Sequence, residues 1–479
     1  MCIMDIYTGT LVTLTLANVA LASFRLNDNE GRANLRELTS SVSGLFRDQA
    51  HDQQRNDKGL ALIFLPVYVL AMASDWMQGP YFFPLYKETL QLHDHVIATL
   101  FATGFISGAF SASFVGKLAD TFGRRKACLA FCVIYSLSCI MTVSSSNVLV
   151  LFLGRVLGGI GTTLLFTVFE AWLVAEFHHK KAASDSTELN QLLGTMTVLS
   201  GMVAVLSGLL SNYLVSITGS RKAPFLASPV CLLLASLLIL GTWNENYLGN
   251  CDNSGSEATE EQHTRIMVLG FITMISEGSM YLFVVFWSPA IISASKNDDI
   301  PGSPPFGVIF ASFMTAMMLG SQISSQLMVS PPSRGDSSPT PSLSSSSFTE
   351  PHNPSSYDFN RISVSRSSGL LTVLLFLGSM SLTCAVVFPT TLLTLWAFCV
   401  YEFSIGLYYP NMGVLKSVLI HDMDRAGVYA LFRLPLNCFV VAGLAFTTEG
   451  GGYRNKVFMT CSILLLVAMV FSHLLLRRP

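Results

Sequence analysis

Six ionisable side chains lie within long apolar stretches of this sequence, where a charge is energetically costly. Hydrocarbon cannot solvate an ionised group, so residues of this kind are functional candidates by default. Arginine presents a planar fork of donors that suits oxyanions, and a carboxyl group buried without partners can carry a proton. The residue types therefore suggest anion binding and proton movement. The six residues are Asp75, Arg155, Glu170, Glu277, Glu402 and Arg433.

Thirteen apolar segments surround or precede these residues, and each is long enough to form a helix that spans a bilayer. The chain has 479 residues, of which 51% are hydrophobic and only 12% are charged. A soluble domain carries about a quarter charged residues, so we predict an all-α polytopic membrane protein. The segments lie near 3–24, 60–83, 95–118, 127–147, 148–173, 190–218, 223–243, 265–290, 306–329, 369–389, 391–414, 425–447 and 455–476.

Lysine and arginine are concentrated on one of the two sides that this order of helices defines. The loops at 25–59 and 117–126 are rich in both, and Lys416 is assigned to another loop on the same side. The positive-inside rule makes that side cytosolic and places the N-terminus outside. The segment at 3–24 contains no basic residue, whereas a cleaved signal peptide normally begins with one, so we predict a retained helix.

Two polar linkers divide the predicted helices into units. A Ser/Pro-rich segment at 330–368 interrupts the last unit, and its composition predicts disorder. The predicted units are an extra N-terminal transmembrane helix at 1–24, a cytosolic basic linker at 25–59, a six-helix bundle at 60–243, a cytosolic central loop at 244–264 and a second six-helix bundle at 265–477.

The loop after the second core segment carries a motif with a recognisable spacing. Residues 116–126 read GKLADTFGRRK, which resembles the G-x-L-A-D-x-x-G-R-[KR]-[KR] loop of the major facilitator superfamily. Glycine permits a tight turn, and Asp120 is placed to accept hydrogen bonds from a neighbouring arginine. We predict that this motif loop stabilises one conformation of a rocking bundle. Its residues of interest are Gly116, Asp120, Gly123, Arg124, Arg125 and Lys126.

Resemblance to this superfamily implies a major facilitator fold in which the first helix of each three-helix repeat lines the cavity. The six charges fall on core segments one, four, seven, ten and eleven. Counted along the helices, Glu277, Glu402 and Arg433 are predicted nearest the midplane. We expect Arg433, with Arg155, to bind an anion, and the two glutamates to carry protons. For Arg155 and Glu170 the alternative is structural ion pairing between helices.

Several other stretches resemble the molybdate-anion transporter family. The most specific are FEAW at 169–172 and WNENY at 243–247, and DWMQGPY at 75–81 and FRLPL at 432–436 agree with them. The resemblance covers the whole chain. It implies uptake of molybdate, a tetrahedral dianion, at the cell membrane.

Three hypotheses for function remain open on the sequence. The protein transports molybdate or a related oxyanion, transports another solute such as sulfate or an organic anion, or is a non-transporting receptor or scaffold. The costly buried charges and the intact motif loop argue against the scaffold. We expect no enzyme activity and no cofactor or metal site. We also expect no nucleic-acid partner, because no basic face is present. The expected partners are the anion, the lipid bilayer and, if transport is coupled, protons.

Overall fold

The computed structural model describes residues 3–27, 55–180, 186–246, 260–328, 354–420, 425–448 and 450–476. These residues are almost entirely helical, and none of them forms a strand. A helix pairs its backbone N–H and C=O groups within one segment, as hydrocarbon requires. Most of the predicted linkers at 25–59, 244–264 and 330–368 lies outside the described residues.

Fourteen helices of eight residues or more make up this part of the chain. Thirteen correspond to the predicted apolar segments, and α4 lies in the motif loop. Twelve of the described helices are long and apolar enough to span a membrane, and α13 has a shorter apolar stretch, Leu431–Ala445. In chain order they are α1 (Ile3–Asn27), α2 (Arg55–Trp76), α3 (Asp94–Ala112), α4 (Val115–Phe122), α5 (Arg124–Ser144), α6 (Val148–Lys180), α7 (Ser186–Thr218), α8 (Ala223–Thr242), α9 (Glu260–Asn297), α10 (Phe306–Met328), α11 (Pro354–Val387), α12 (Thr391–Leu419), α13 (Arg425–Ala445) and α14 (Gly451–Phe471).

Several helices extend beyond the apolar segments from which they were predicted. Helix α11 begins at Pro354, so the prediction of disorder is wrong for residues 354–368. Proline is well tolerated in the first turn of a helix, where its missing N–H costs nothing. Helix α12 continues past 414 to Leu419. Hydropathy marks the length of chain in hydrocarbon, whereas backbone hydrogen bonding can continue into the polar region.

The long helices form two bundles of six, α2, α3 and α5–α8 in the first half and α9–α14 in the second. In the first half, α6 packs against α3 and α5, and in the second half α12 packs against α10 and α11 in the corresponding way. The two halves meet where α7 packs on α10 and α3 packs on α13. This architecture confirms the predicted major facilitator fold.

Glycines permit the closest approaches between helices. A Cβ atom at Gly406 of α12 would collide with the backbone carbonyl of Met317 in α10. A Cβ at Gly159 of α6 would likewise collide with the carbonyl of Gly104 in α3. In lipid, where no hydrophobic force drives helices together, such close packing is a main source of helix association.

The extra helix α1 packs against the second half. The Asn18 side-chain amide donates to the Thr315 carbonyl at 3.0 Å, and the Gln322 amide donates to the Asn18 side-chain oxygen at 3.1 Å. The hydroxyls of Tyr7 and Ser295 lie 3.1 Å apart. These polar contacts fix α1 on α10 and on the end of α9.

The two halves are joined from one end of the bundle to about its middle. We call this end, which carries the connections after α7 and α9, the outer end, because the charge distribution predicts it to be extracellular. The joining contacts are the ring pairs Trp76–Phe310, Tyr81–Phe306 and Phe105–Tyr281, with centroids 5.9, 6.2 and 5.2 Å apart, and the hydrogen bonds from Arg221 to Ser303 at 3.2 Å and from the Gly450 N–H to Asp94 at 3.3 Å.

We predict that Gly406→Ala lowers the thermal unfolding midpoint of the detergent-solubilised protein. The added methyl group meets a backbone carbonyl that cannot move without shifting α10, and overpacking of this kind costs about 1–3 kcal/mol. Gly413→Ala, in the same helix, is the control, because its Cβ enters open space. That substitution is expected to leave the midpoint unchanged or slightly higher. Equal midpoints for the two variants would contradict this account of the packing.

Candidate functional site

In the first half, a carboxylate, a phenol and a guanidinium come together from three helices. The Tyr135 hydroxyl of α5, which is buried, donates a hydrogen bond to Asp75 at the end of α2. Arg155 of α6 lies within electrostatic reach of both groups. The sequence predicted Asp75 and Arg155 as site residues but gave no indication of Tyr135, which is one of many aromatic residues in apolar segments.

The charge of Arg155 is met by aromatic rings and a carbonyl group. Its guanidinium carbon lies 4.6 Å from the ring centre of Phe82 and 5.1 Å from that of Phe101. Its Nε–H donates to the Leu100 carbonyl at 3.4 Å. Gly104 makes room for it, since a Cβ there would lie 2.9 Å from Nη2. A cation held in this way keeps donors available for an anionic ligand.

Glu170 does not lie near Asp75, Tyr135 and Arg155. It is exposed on α6 and lies within electrostatic reach of Tyr68. Along the same helix it is about 22 Å from Arg155, so the two residues cannot interact. The structure therefore separates two residues that the sequence had placed in one set.

In the second half, Glu277 of α9 has partners of its own. Its Oε1 lies 3.4 Å from the Lys416 ammonium and accepts a hydrogen bond of 3.5 Å from the Tyr408 hydroxyl. Lys416 had been assigned to a cytosolic loop, and that assignment is wrong. Because α12 continues to Leu419, the lysine lies within the helix, eight residues after Tyr408 and on the same face.

Glu402 of α12 has a different environment. It is 4% exposed, and within the described part of the chain its carboxyl group makes no ion pair or hydrogen bond. Tyr408 and Lys416 follow it by about 9 and 21 Å along the helix. Glu277, which contacts both, therefore lies nearer the inner end than Glu402 does, although the sequence ranked the two at similar depth.

Tyrosines connect the two acids with Arg433. Tyr409 lies within electrostatic reach of both Glu277 and Glu402, and its hydroxyl contacts the Met280 sulfur at 3.1 Å. Tyr281 lies within electrostatic reach of Glu277 and of Arg433, which is exposed on α13. We call this group the acid–tyrosine cluster. Its members are Glu277, Tyr281, Glu402, Tyr408 and Tyr409, with the cations Lys416 and Arg433.

The motif loop makes its contacts within the first half. Arg124 donates from Nε and Nη2 to one Asp120 oxygen at 2.9 and 2.8 Å, and from Nη1 to the Ala171 carbonyl at 2.7 Å. Gly123 precedes it with φ of 107°, a conformation that favours glycine. Gly116 faces open space and Lys126 is exposed, so neither takes part in these contacts.

The FEAW stretch and the start of the WNENY stretch meet against this loop. The indole rings of Trp172 and Trp243 stack 3.7 Å apart, and the Trp172 N–H donates to the Asn244 carbonyl at 2.9 Å. Glu245 accepts a hydrogen bond of 2.8 Å from the Arg125 backbone N–H, and its carboxylate fills the space beside Gly123. The sequence showed both stretches but not that they form one structure.

Comparison with known proteins agrees with this architecture. A family profile described as sugar transporters with 12 transmembrane segments matches residues 38–337. The molybdate-anion transporter of Xenopus tropicalis is 30% identical over 420 residues, which cover 85% of this chain and 83% of that protein. The chain belongs to the molybdate-anion transporter family of the major facilitator superfamily. The Danio rerio molybdate-anion transporter is 29% identical over 450 residues, covering 85% of each chain.

Solved structures similar to this member of the molybdate-anion transporter family share its fold. A mutant of the peptide transporter POT superposes with a TM-score of 0.62 at 14% identity, covering 90% of this chain and 99% of that one. The inward open xylose transporter XylE from E. coli gives 0.61 at 11% identity, with coverages of 87% and 96%. The family membership, together with the helices long enough to span a membrane, makes the protein a multi-pass membrane transporter.

We predict that Trp243→Ala increases the rate at which trypsin cleaves the motif loop. Without the indole stack, the segment carrying Glu245 no longer holds the Arg125 backbone, and local opening exposes the basic residues. Cleavage of folded protein in detergent is followed by mass spectrometry. Trp243→Phe retains an aromatic ring and is expected to have a smaller effect. Identical cleavage rates for wild type and Trp243→Ala would refute this role of the stack.

Proposed function

We propose that the protein carries molybdate, or a closely related tetrahedral oxyanion, into the cell across the cell membrane. The observation that carries this proposal is the similarity to relatives named molybdate-anion transporter over 85% of the chain. The positions of three cations support it. Arg155 lies in the outer part of the first half, and Lys416 and Arg433 belong to the second half, so an anion that moves between the halves meets cations from both of them in turn.

A cation that binds an anion in an apolar surrounding needs a partner until the anion arrives, and Lys416 has one in Glu277. It is held by Glu277 at 3.4 Å, with both side chains about four-fifths buried. Because the pair is loose and Glu277 also accepts from Tyr408, an incoming dianion can replace the carboxylate beside the lysine. The ion pair thus keeps the site neutral until the anion arrives.

The fold supports alternating access as the means of transport. We propose 60–243 and 265–477 as the two rocking units, with the 1–24 helix carried by the second. The contacts between them close the outer end, as an inward-facing transporter requires. In the described part of the chain, the motif loop bonds to the first half through the Ala171 and Leu240 carbonyls and to Glu245 directly after that half, so we propose that it moves with the first half.

Glu402 is the group that we propose for coupling to protons. A carboxyl group buried without a cation or a donor is more stable with a proton than as an anion. Glu277, by contrast, is stabilised as an anion by Lys416 and Tyr408. This difference in partners is the reason why we assign different roles to two acids that the sequence treated alike. One is suited to proton transfer and the other to holding the anion site.

We expect molybdenum accumulation to rise when the protein is expressed in cells that lack it, and to fall with Arg433→Ala or Lys416→Ala. Losing a charge-assisted contact weakens binding by about tenfold or more. Lys456→Ala, an exposed cation on α14, is the control and should transport normally. Uptake is measured by elemental mass spectrometry with sulfate as competitor. Molybdenum and sulfate accumulation both equal to that of cells lacking the protein would overturn the proposal.

Glu402→Gln should abolish the response of uptake to a proton gradient in proteoliposomes. The amide is neutral and similar in size, so anion exchange without a gradient is expected to continue. Glu277→Gln is the comparison. It should lower the apparent KM, because the anion no longer has to displace a carboxylate from Lys416, while leaving the gradient response. If an inward proton gradient still accelerates uptake by the Glu402→Gln variant, this residue is excluded as the proton carrier.

A further inference from the structure

A cavity of about 540 Å³ lies at the outer end, between the two halves. Its walls come from the start of α3 and the residues before it in the first half, and from α9 and the start of α14 in the second. The volume is within the range of small-molecule sites in proteins. It lies outside the ring contacts that close the bundle and contains no residue of the acid–tyrosine cluster.

Most of the cavity wall is apolar. Phe83 and Ile97 contribute from the first half, and Phe286, Pro289 and Ile292 contribute from the second. Such a surface does not suit a small inorganic anion, which would lose its hydration without replacement. It suits a ligand with a flat or branched hydrocarbon body.

Among the cations that line the cavity, Lys296 and Arg454 form no ion pair with an acidic residue in the described part of the chain. Asp94 pairs with Lys87 at 2.7 Å, and Glu88 pairs with Arg221. Arg454, which is half-buried, bonds only to neutral acceptors in the described part of the chain. Nη1 donates to the Pro289 carbonyl at 2.8 Å, and Nε and Nη2 donate to the Asn455 side chain at 3.3 and 3.2 Å.

Arg454 lies within electrostatic reach of Asp94, but that carboxylate is already paired with Lys87, and the guanidinium keeps free donors. A guanidinium has five N–H groups, and three of these are used in the contacts to Pro289 and Asn455. The remaining two are available to a carboxylate or sulfonate, which Arg binds in a planar, two-point geometry. An anionic group at Arg454 places the rest of the ligand against the apolar walls.

We propose that this outer cavity binds an amphipathic organic anion, with a hydrocarbon body and one carboxylate or sulfonate, and that the bound ligand holds the outer end closed. The ligand contacts both halves, so it stabilises the conformation in which they meet there. The site is thus inhibitory and separate from the site of the transported ion. The proposal does not depend on which ion is transported.

Binding of naphthalene-2-sulfonate to the full chain in lipid nanodiscs tests this site. Saturable binding of one molecule per chain is expected, together with a rise in the unfolding midpoint. Arg454→Gln should weaken binding by about tenfold or more, whereas Lys456→Gln should not change it. Neutral naphthalene-2-sulfonamide, which has the same body, should bind as weakly to wild type as the sulfonate binds to Arg454→Gln.

A second variant separates loss of the site from loss of folding. Ser293→Phe fills the cavity and leaves Arg454 in place, so it should prevent binding while the protein elutes as a single folded species. Binding equal to wild type in Ser293→Phe, or equal affinities for the sulfonate and the sulfonamide, would overturn the proposal. Because no transported ion is present, such a result is distinct from a failure of molybdate uptake.

Discussion

A charge inside hydrocarbon must be met by another group, and this constraint accounts for most of the polar structure in the protein. Water is absent, so each ionised side chain needs a ring, a carbonyl, a phenol or an opposite charge. Arg155 uses two rings and a carbonyl, and Glu277 uses a lysine and a tyrosine. The choice of partner then determines the chemistry that remains available. A cation over rings can still bind an anion, whereas one paired with a carboxylate must first exchange it.

The two halves use different partners for their buried charged groups, although their helices pack alike. The first half pairs Asp75 with a buried tyrosine and places a single arginine nearby. The second half has two acids at different depths, several tyrosines and two cations. A repeated backbone arrangement thus carries an unequal distribution of charge. The roles proposed for the anion and the proton therefore fall on different side chains.

Much of the fold could be predicted from the sequence, because apolar length and the spacing of basic loops report directly on the bilayer. The residues of the candidate site were harder to predict from the sequence. Lys416 was missed because the apolar segment stops before the helix does, and hydropathy does not record a helix that continues beyond hydrocarbon. Tyr135 and Glu245 were missed for another reason. Their partners, Asp75 and the motif loop, lie 60 and 120 residues away, and no local pattern reports a contact at that separation.

The attachment of α1 to the second half has a consequence for how the protein is made. Asn18 and the Thr315 carbonyl that it binds are separated by 297 residues. At a synthesis rate of about 5–20 residues per second, the asparagine waits roughly 15 to 60 s for its partner to be made. During that interval α1 must remain in the membrane on its own apolar length, with a polar amide that has no bond to α10. The first helix therefore cannot dock on α10 until the whole first half and part of the second have been made.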